Sequence, residues 1–273
     1  MLEALSLPFF QHALLAGALI AVAIGVVGPL TMANRMTFMS GGIAHATYGG
    51  VGAAIFFGFS ILLGAALAAL VAAAVISFIS LRHRHRADTA IGIVWAVGMA
   101  LGVILADLTP GYNVDMMSFL FGSILAVEGG DLWLMGGFDL AVVALVAYFY
   151  YDLLALSFDP VFAKLQGVRT EAMHLMLLAM VALTVVLAMR LVGLIMVIAL
   201  LTMPSFTAER FARSLGGMMA LSVTLSLLYI LGGLALAYSY DLSSGAAVIV
   251  VAAFGTIALF SLQKFINKKR RIS

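Results

Sequence analysis

The stretch Met39–Ala54 reads M-S-G-G-I-A-H-A-T-Y-G-G-V-G-A-A, and its spacing predicts a membrane helix that packs closely against its neighbours. Small residues recur at every fourth position, so they share one face of a helix. Without bulky side chains on that face, other helices can approach the backbone. The members of this row are Gly42, Ala46, Gly50 and Ala54.

A second row, one position earlier, carries the only ionisable side chain of this stretch. His45 lies between Gly41 and Gly49, so the imidazole has no bulky neighbour one turn above or below it. The flanking segments are apolar, which places His45 at membrane depth, where an ionisable residue indicates a functional site. We predict that His45 marks a functional site and that the four glycines of both rows leave room around it. The other interpretation is a hydrogen bond from His45 that holds the helix bundle together.

The whole chain has the composition of an integral membrane protein. Of its 273 residues, 64% are hydrophobic and 10% are charged, whereas soluble domains carry about 25% charged residues. The formal net charge of +2 comes from Lys and Arg at the ends of apolar runs, so it indicates membrane topology and not nucleic-acid binding. Without cysteine, a metal must be bound by imidazole, carboxylate, thioether or backbone oxygen. The sequence has no phosphate loop, zinc-protease helix or nucleophile elbow, so we do not expect the chain itself to be an enzyme.

The apolar runs predict a single domain, residues 1–273, with an all-α polytopic fold of eight or nine transmembrane helices. A shorter run, Met116–Val127, is predicted as an interfacial or re-entrant helix, because it is too short to cross. The predicted spans are Phe9–Met32, Met39–Phe59, Ser60–Leu81, Thr89–Ala106, Leu132–Leu156, Met173–Met189, Leu191–Thr207, Met218–Tyr238 and Gly245–Leu262.

Orientation follows from the tendency of Lys and Arg to accumulate in cytoplasmic loops. Nine spans place all 14 Lys and Arg residues except Arg190 on the cytoplasmic side, with the N-terminus outside and the C-terminus in the cytoplasm. The acidic loop that ends at Asp115 is then external. Asp115 either attracts a cation by electrostatic steering or is a solvated loop residue.

The segment Ser157–Val168, in a cytoplasmic loop, is predicted as a short amphipathic helix. Ser157 or Asp159 can cap its start, Pro160 suits its first turn and Gly167 suits its end. Such a helix either lies on lipid or docks into a partner protein. Its apolar side consists of Phe158, Phe162 and Leu165.

Five segments along the chain share their order and spacing with a known family. They are Arg35–Ala46, Asp88–Ile93, Val114–Val127, Ser157–Val168 and Leu201–Ala208. Together they resemble the permease subunits of zinc- and manganese-type ABC importers, and the resemblance covers almost the whole chain.

This resemblance implies an ATP-driven importer of a divalent transition metal, zinc or manganese before iron, in the cytoplasmic (inner) membrane of a prokaryote. The permease pairs with a second copy of itself, a separate cytoplasmic subunit binds ATP, and an extracytoplasmic metal-binding protein delivers the metal. No tightly bound cofactor is implied. Ser157–Val168 becomes the coupling helix. The residues assigned to ATPase coupling are Phe158, Asp159, Pro160, Phe162 and Gly167.

One position departs from the family pattern. The family commonly has an Asp four residues before the intramembrane His, and that position is Gly41 here. A cation at His45 then needs water, backbone oxygen or a group from another helix or protomer. The alternative function is a secondary carrier driven by an ion gradient, with His45 as its proton-linked group. Such carriers often have inverted halves, which this sequence lacks, and they need no helix such as Ser157–Val168.

Overall fold

The structure is a computed structural model that describes residues 8–83, 86–110, 122 and 129–270. These residues form eleven helices and no strand. In chain order the helices are α1 (Pro8–Ala33), α2 (Thr37–Phe57), α3 (Ile61–Arg82), α4 (Ala87–Asp107), α5 (Gly129–Tyr148), α6 (Tyr150–Phe158), α7 (Pro160–Leu165), α8 (Thr170–Val192), α9 (Leu194–Phe211), α10 (Leu215–Tyr240) and α11 (Ser244–Arg270).

Eight of the described helices are long and apolar enough to cross a membrane. They are α1, α3, α4, α5, α8, α9, α10 and α11. The helix α2 is less apolar because it contains Gly, Ser, Thr and His, but its 21 residues have the length of a span. Most of its residues are buried against other helices, so it needs few lipid-facing side chains. The predicted all-α polytopic fold with eight or nine spans is confirmed.

The helices pack in two groups. In the first group α2 lies against α3 and α4, and in the second α1 lies against α5, α9 and α10. The helices α8 and α9 each contact both α1 and α2, so they join the groups. A core of buried Ala, Val, Ile, Leu and Met side chains runs through both groups. The helix that carries His45 is therefore enclosed on several sides.

Glycines bring α2 into backbone contact with both of its neighbours in the first group. A Cβ atom on Gly49 would lie 2.9 Å from the carbonyl oxygen of Gly98 on α4. A Cβ on Gly50 would collide with the carbonyl oxygen of Gly64 on α3. Small residues on both sides of a helix contact allow this close approach. The predicted row Gly42, Ala46, Gly50 and Ala54 is the face along which α3 and α4 pack.

The segment Ser157–Val168 does not form the single helix that the sequence predicts. The helix α6 continues through Ser157 to Phe158, and a separate helix of six residues, α7, begins at Pro160. Asp159 between them has an extended backbone, with φ −150° and ψ 102°. Proline has no N–H to continue the helical hydrogen bonds, and it disfavours helical geometry in the residue before it. Pro160 therefore starts a new helix instead of lying inside a longer one.

Two further differences concern the spans. The predicted span Leu132–Leu156 is divided into α5 and α6 at Phe149. The helices α8 and α9 meet at Gly193, whose φ of 80° favours glycine. The prediction for Met116–Val127 lies outside the described residues, apart from Gly122.

Candidate functional site

His45 lies about two turns into α2 and stacks on Trp95 of α4. The ring centroids are 3.9 Å apart and the ring planes differ by 6°. Both side chains are half-buried, so part of each ring is covered by the bundle and part is accessible. Contact with a flat indole favours one plane of the imidazole.

The stack follows from the close contact between the two helices. A Cβ atom on Gly98, one turn after Trp95, would lie only 2.6 Å from the Cα atom of Ala46. Because the backbones are this close, the rings at positions 45 and 95 meet face to face. The indole Nε1–H donates to the Sδ atom of Met99 at 3.2 Å. Trp95 thus satisfies its polar atom within α4 and presents its ring face to His45.

The Nδ1 atom of His45 is buried, and it has no hydrogen-bond partner in the part of the chain that the structure describes. Buried polar atoms in native proteins are nearly always paired, so an unpaired one needs an explanation, such as an absent ion or partner. A neutral imidazole nitrogen binds zinc, manganese and iron. Among the described residues, Nδ1 therefore does not form the interhelical hydrogen bond that the other interpretation of His45 requires.

The space beside His45 opens towards Gly41. A Cβ atom on Gly41 would meet no other atom within 4 Å, whereas Gly49, one turn beyond His45, is covered by the backbone of α4. No cluster of three or more His, Cys, Asp or Glu side chains that could hold a metal occurs in residues 8–83, 86–110 and 129–270. One chain therefore offers a cation a single imidazole and free space, without a surrounding cage of ligands.

The other predicted site residues of the membrane region have different surroundings. A Cβ atom on Gly42 would collide with the side chain of Ile91 on α4, and Gly50 faces the backbone of α3. These two glycines serve helix packing. Asp115 lies outside the described residues.

An apolar groove of about 580 Å³ runs between α3 and α4, with α2 as its floor. Its walls are glycine, aliphatic and aromatic residues, among them Gly50, Gly64 and Val97. Such walls offer no ligand to a cation, and a charge in apolar surroundings is costly. His45 does not line this groove, so the groove and the imidazole are separate features of α2.

The helix α7 is fixed at both ends by local structure, as its sequence predicts. The Oδ1 atom of Asp159 accepts hydrogen bonds from the backbone N–H groups of Val161 at 2.9 Å and Phe162 at 3.1 Å. Pro160 occupies the first turn, where its missing N–H has no cost. Gly167 has a φ of 87° and closes the turn after the helix. These constraints give six residues a defined shape that they would not hold alone.

The outer face of this region is apolar and uncovered. We call Phe158, Val161, Phe162 and Leu165 the coupling surface. Phe158 is 84% exposed and Phe162 is 53% exposed, whereas Ala163 on the opposite face is fully buried. Large apolar side chains that stand out together mark a contact with another protein or with lipid.

A buried acid in α5 was not predicted. Asp139 is 7% exposed, and its Oδ2 atom has no hydrogen-bond partner among the described residues. Thr184 lines the same small cavity, but its hydroxyl donates to the carbonyl of Met180 at 2.8 Å. The sequence signal was an acidic residue inside an apolar span, the same signal that identified His45. Trp95 had no comparable signal, since an aromatic residue in a span is ordinary.

Comparisons with known proteins bear on the whole chain. Residues 6–264 match the ABC 3 transport family. The membrane protein slr2045 of Synechocystis sp. is 44% identical over 97% of this chain and 94% of its own length. The manganese transport system membrane protein MntC of Listeria monocytogenes is 35% identical, over 96% of this chain and 92% of its own. The solved structure of PsaBC from Streptococcus pneumoniae in complex with Fab contains a chain that is 32% identical, with a TM-score of 0.86 over 95% of this chain and 94% of that one.

Proposed function

The chain belongs to the ABC 3 transport family and is a permease subunit of a metal importer, and we propose that its cargo is Mn²⁺, with Zn²⁺ as the next candidate. Relatives named as manganese transport proteins, one of them 35% identical over nearly the full length, support manganese. Iron is the least favoured of the three. The metal is the transported substrate and is not a resident cofactor.

His45 is the residue that contacts the cation on its way through the membrane. The observation that carries this assignment is its buried, unpartnered Nδ1 atom beside the open space at Gly41. A single imidazole binds a partly hydrated Mn²⁺ weakly, because Mn²⁺ has the lowest affinity for nitrogen ligands among the divalent first-row metals. Weak binding suits a transporter, which must release its cargo after binding it.

A second copy of the chain completes the path. One chain supplies one imidazole, and the carboxylate that the family commonly places at position 41 is absent. In a symmetric dimer, each residue that lines the central path occurs twice, so two imidazoles become available to one cation. In the helix α4, which holds Trp95 against His45, only Ala87, Ile91 and Gly102 are buried within one chain, which leaves much of its surface for a partner protomer or lipid.

Energy comes from a separate cytoplasmic subunit that binds and hydrolyses ATP, and this chain is itself not an enzyme. The coupling surface seats in a cleft of that subunit, with Phe158 and Phe162 as aromatic anchors. Asp159, Pro160 and Gly167 hold α7 in the shape that fits the cleft. Exposure of both aromatic rings supports docking over burial in the permease itself.

The remaining partners follow from the orientation. We place the chain in the cytoplasmic membrane of a prokaryote, with the N-terminus outside and the C-terminus in the cytoplasm, since Lys and Arg then lie in cytoplasmic loops. An extracytoplasmic metal-binding protein delivers the cation at the outer face. Asp115 in the outer loop attracts the cation by its charge.

The test is uptake of Mn²⁺ into proteoliposomes that contain the permease together with its co-purifying ATPase, with the extracytoplasmic metal-binding protein added at the outer face. We expect uptake that needs ATP on the cytoplasmic face and continues when proton and sodium gradients are collapsed. Labelled Zn²⁺ should be taken up more slowly than labelled Mn²⁺, because zinc binds an imidazole more tightly and is released less readily. Uptake that needs an ion gradient and no ATP would instead identify a secondary carrier and overturn the proposal.

A further inference from the structure

A hydrogen bond between Asn34 and Ser157 joins two parts of the chain that are 123 residues apart in sequence. The Nδ2–H group of Asn34 donates to the Oγ atom of Ser157 at 2.9 Å. Asn34 lies in the turn between α1 and α2, and Ser157 lies near the end of α6, two residues before the cap of α7. The bond therefore connects the end of α6, next to the coupling surface, with the turn that precedes α2, the helix that carries His45.

Both side chains are also bound to their own helices, so the bond joins two helices and not two loose side chains. Asn34 Nδ2 donates its second hydrogen to the carbonyl of Leu30 at 2.8 Å. The Ser157 hydroxyl donates to the carbonyl of Leu153 at 2.7 Å, which leaves its oxygen as the acceptor for Asn34. The direction of each hydrogen bond in this network follows from these partners.

The turn that follows Asn34 is rigid. Arg35 has a φ of 58°, and its N–H donates to the carbonyl of Met32 at 3.0 Å. The N–H of Met36 donates to the carbonyl of Thr31 at 2.7 Å, which completes a Schellman motif at the end of α1. The Met36 side chain is 2% exposed and fixes the turn to the core. A displacement of Asn34 is thus passed on to the first turn of α2.

From that turn, α2 continues without interruption to His45. It begins at Thr37, so the imidazole lies about 12 Å along the axis from the start of the helix. An unbroken helix moves as one body over such a distance. His45 therefore follows a movement of the turn.

We propose that Asn34 is a positioning residue that transmits a displacement of α7 to His45 through its hydrogen bond with Ser157. This inference rests on the proposed function, because it assumes that an ATPase moves α7. In the complete importer, loss of the bond leaves ATP hydrolysis in place but reduces the movement of His45 that hydrolysis drives. Its signature is a lower number of cations transported for each ATP hydrolysed.

The experiment compares variants of the reconstituted complex of permease and ATPase, with the metal-binding protein added at the outer face and Mn²⁺ as the probe. We measure Mn²⁺ uptake and ATP hydrolysis in the same proteoliposomes for Asn34→Ala, Ser157→Ala and the double variant. Ser157→Thr tests rescue, because it keeps the hydroxyl acceptor. The control is Ser214→Ala, which removes a different hydrogen bond, from the Gly217 N–H to Ser214 Oγ at 3.1 Å, at the start of α10.

We expect the ratio of Mn²⁺ transported to ATP hydrolysed to fall about threefold to tenfold in Asn34→Ala. The loss of one hydrogen bond shifts the equilibrium between the linked and the unlinked state by that factor. Ser157→Ala should give a similar loss, and the double variant should be no worse than either single one, because all three remove the same bond. Ser157→Thr and Ser214→Ala should retain the wild-type ratio. Where Asn34→Ala does not assemble, Ser157→Ala alone decides.

Two failures can be told apart. If the wild-type complex takes up no Mn²⁺ with ATP, the proposed function is wrong and this inference is wrong with it. If the wild type transports and both single alanine variants keep its ratio, only the link between Asn34 and Ser157 is refuted. An equal loss in Ser214→Ala would also refute it, because the loss would then not depend on this bond.

Discussion

The imidazole of His45 and the indole of Trp95 stack almost parallel, with their centroids 3.9 Å apart. Trp95 reaches this position because Gly98 lets α4 approach Ala46 on α2. Gly41 supplies no side chain, so the orientation of the imidazole depends on the indole of Trp95.

Replacement of Trp95 should weaken the capture of the cation. Trp95→Leu removes the stack and frees the imidazole to rotate, and an aromatic pair contributes about 0.5–1.5 kcal/mol. We expect the Mn²⁺ concentration for half-maximal uptake to rise about twofold to tenfold. Trp95→Phe keeps an aromatic face and should stay close to the wild type. An unchanged concentration in Trp95→Leu would show that the stack does not orient the ligand.

A carboxylate at position 41 should tighten binding and slow release. The space there accommodates a side chain, because a Cβ atom meets nothing within 4 Å. In Gly41→Asp the carboxylate lies one turn from His45 and attracts the cation. Even in water, opposite unit charges 4 Å apart attract by about 1 kcal/mol. We expect the half-maximal Mn²⁺ concentration to fall about fivefold or more and the maximal rate to fall as well. Gly41→Asn, of equal size and without charge, is the control, and an equal effect in both variants would contradict this account.

Truncation of Phe162 should separate the permease from its ATPase. A buried aromatic anchor costs about 2 kcal/mol or more when removed, which is about thirtyfold in affinity. We expect Phe162→Ala to fold and insert, to lose the ATPase during purification and to lose uptake. Phe254→Ala is the matched control, since Phe254 is 70% exposed on α11 and lies away from the coupling surface. Normal co-purification of the ATPase with the double variant Phe158→Ala plus Phe162→Ala would rule out docking.

Asp139 should be replaceable without loss of transport, because the cavity beside it, about 10 Å³, has room for about one water and none for a hydrated cation. Its Oδ2 atom is buried and has no partner among the described residues, so a neutral amide in its place reduces the cost of burial. We expect Asp139→Asn to raise the free energy of unfolding by about 1 kcal/mol in detergent, with Mn²⁺ uptake unchanged. A thermal unfolding series and the uptake assay check both expectations. Lost uptake in a correctly assembled Asp139→Asn variant would assign a transport role to this acid.

The features predicted well from the sequence depend on neighbours within one or two turns. Small residues at a spacing of four positions on α2 indicated its packing faces, because helical periodicity alone sets which side chains share a face. Asp159 and Gly167 indicated the ends of α7, because a cap depends on the residues at the end of the helix. Of the two predicted caps, Ser157 and Asp159, the structure has Asp159, so the predicted range Ser157–Val168 begins too early; Pro160 disfavours helical geometry in the residue before it.

The features that sequence reasoning missed depend on contacts between distant segments. The stack of His45 on Trp95 requires the register of α2 against α4, which Gly98 determines only once both helices are packed. The bond from Asn34 to Ser157 joins the turn after α1 to the end of α6, and neither residue is unusual in its own segment. Asp139 had a local signal, but its burial depends on how α5 turns towards α1 and α8.

The central claim is that the cation passes His45, and the most direct test is Mn²⁺ uptake by His45→Gln in proteoliposomes with the ATPase and the metal-binding protein present. Glutamine has a similar reach and keeps hydrogen-bonding capacity, but it is a poor ligand for transition metals. We predict normal insertion, dimer assembly and ATPase binding, together with loss of ATP-dependent uptake. Uptake at the wild-type rate in His45→Gln, with an assembly defect in His45→Ala, would show that His45 holds the bundle together and that the metal takes another path.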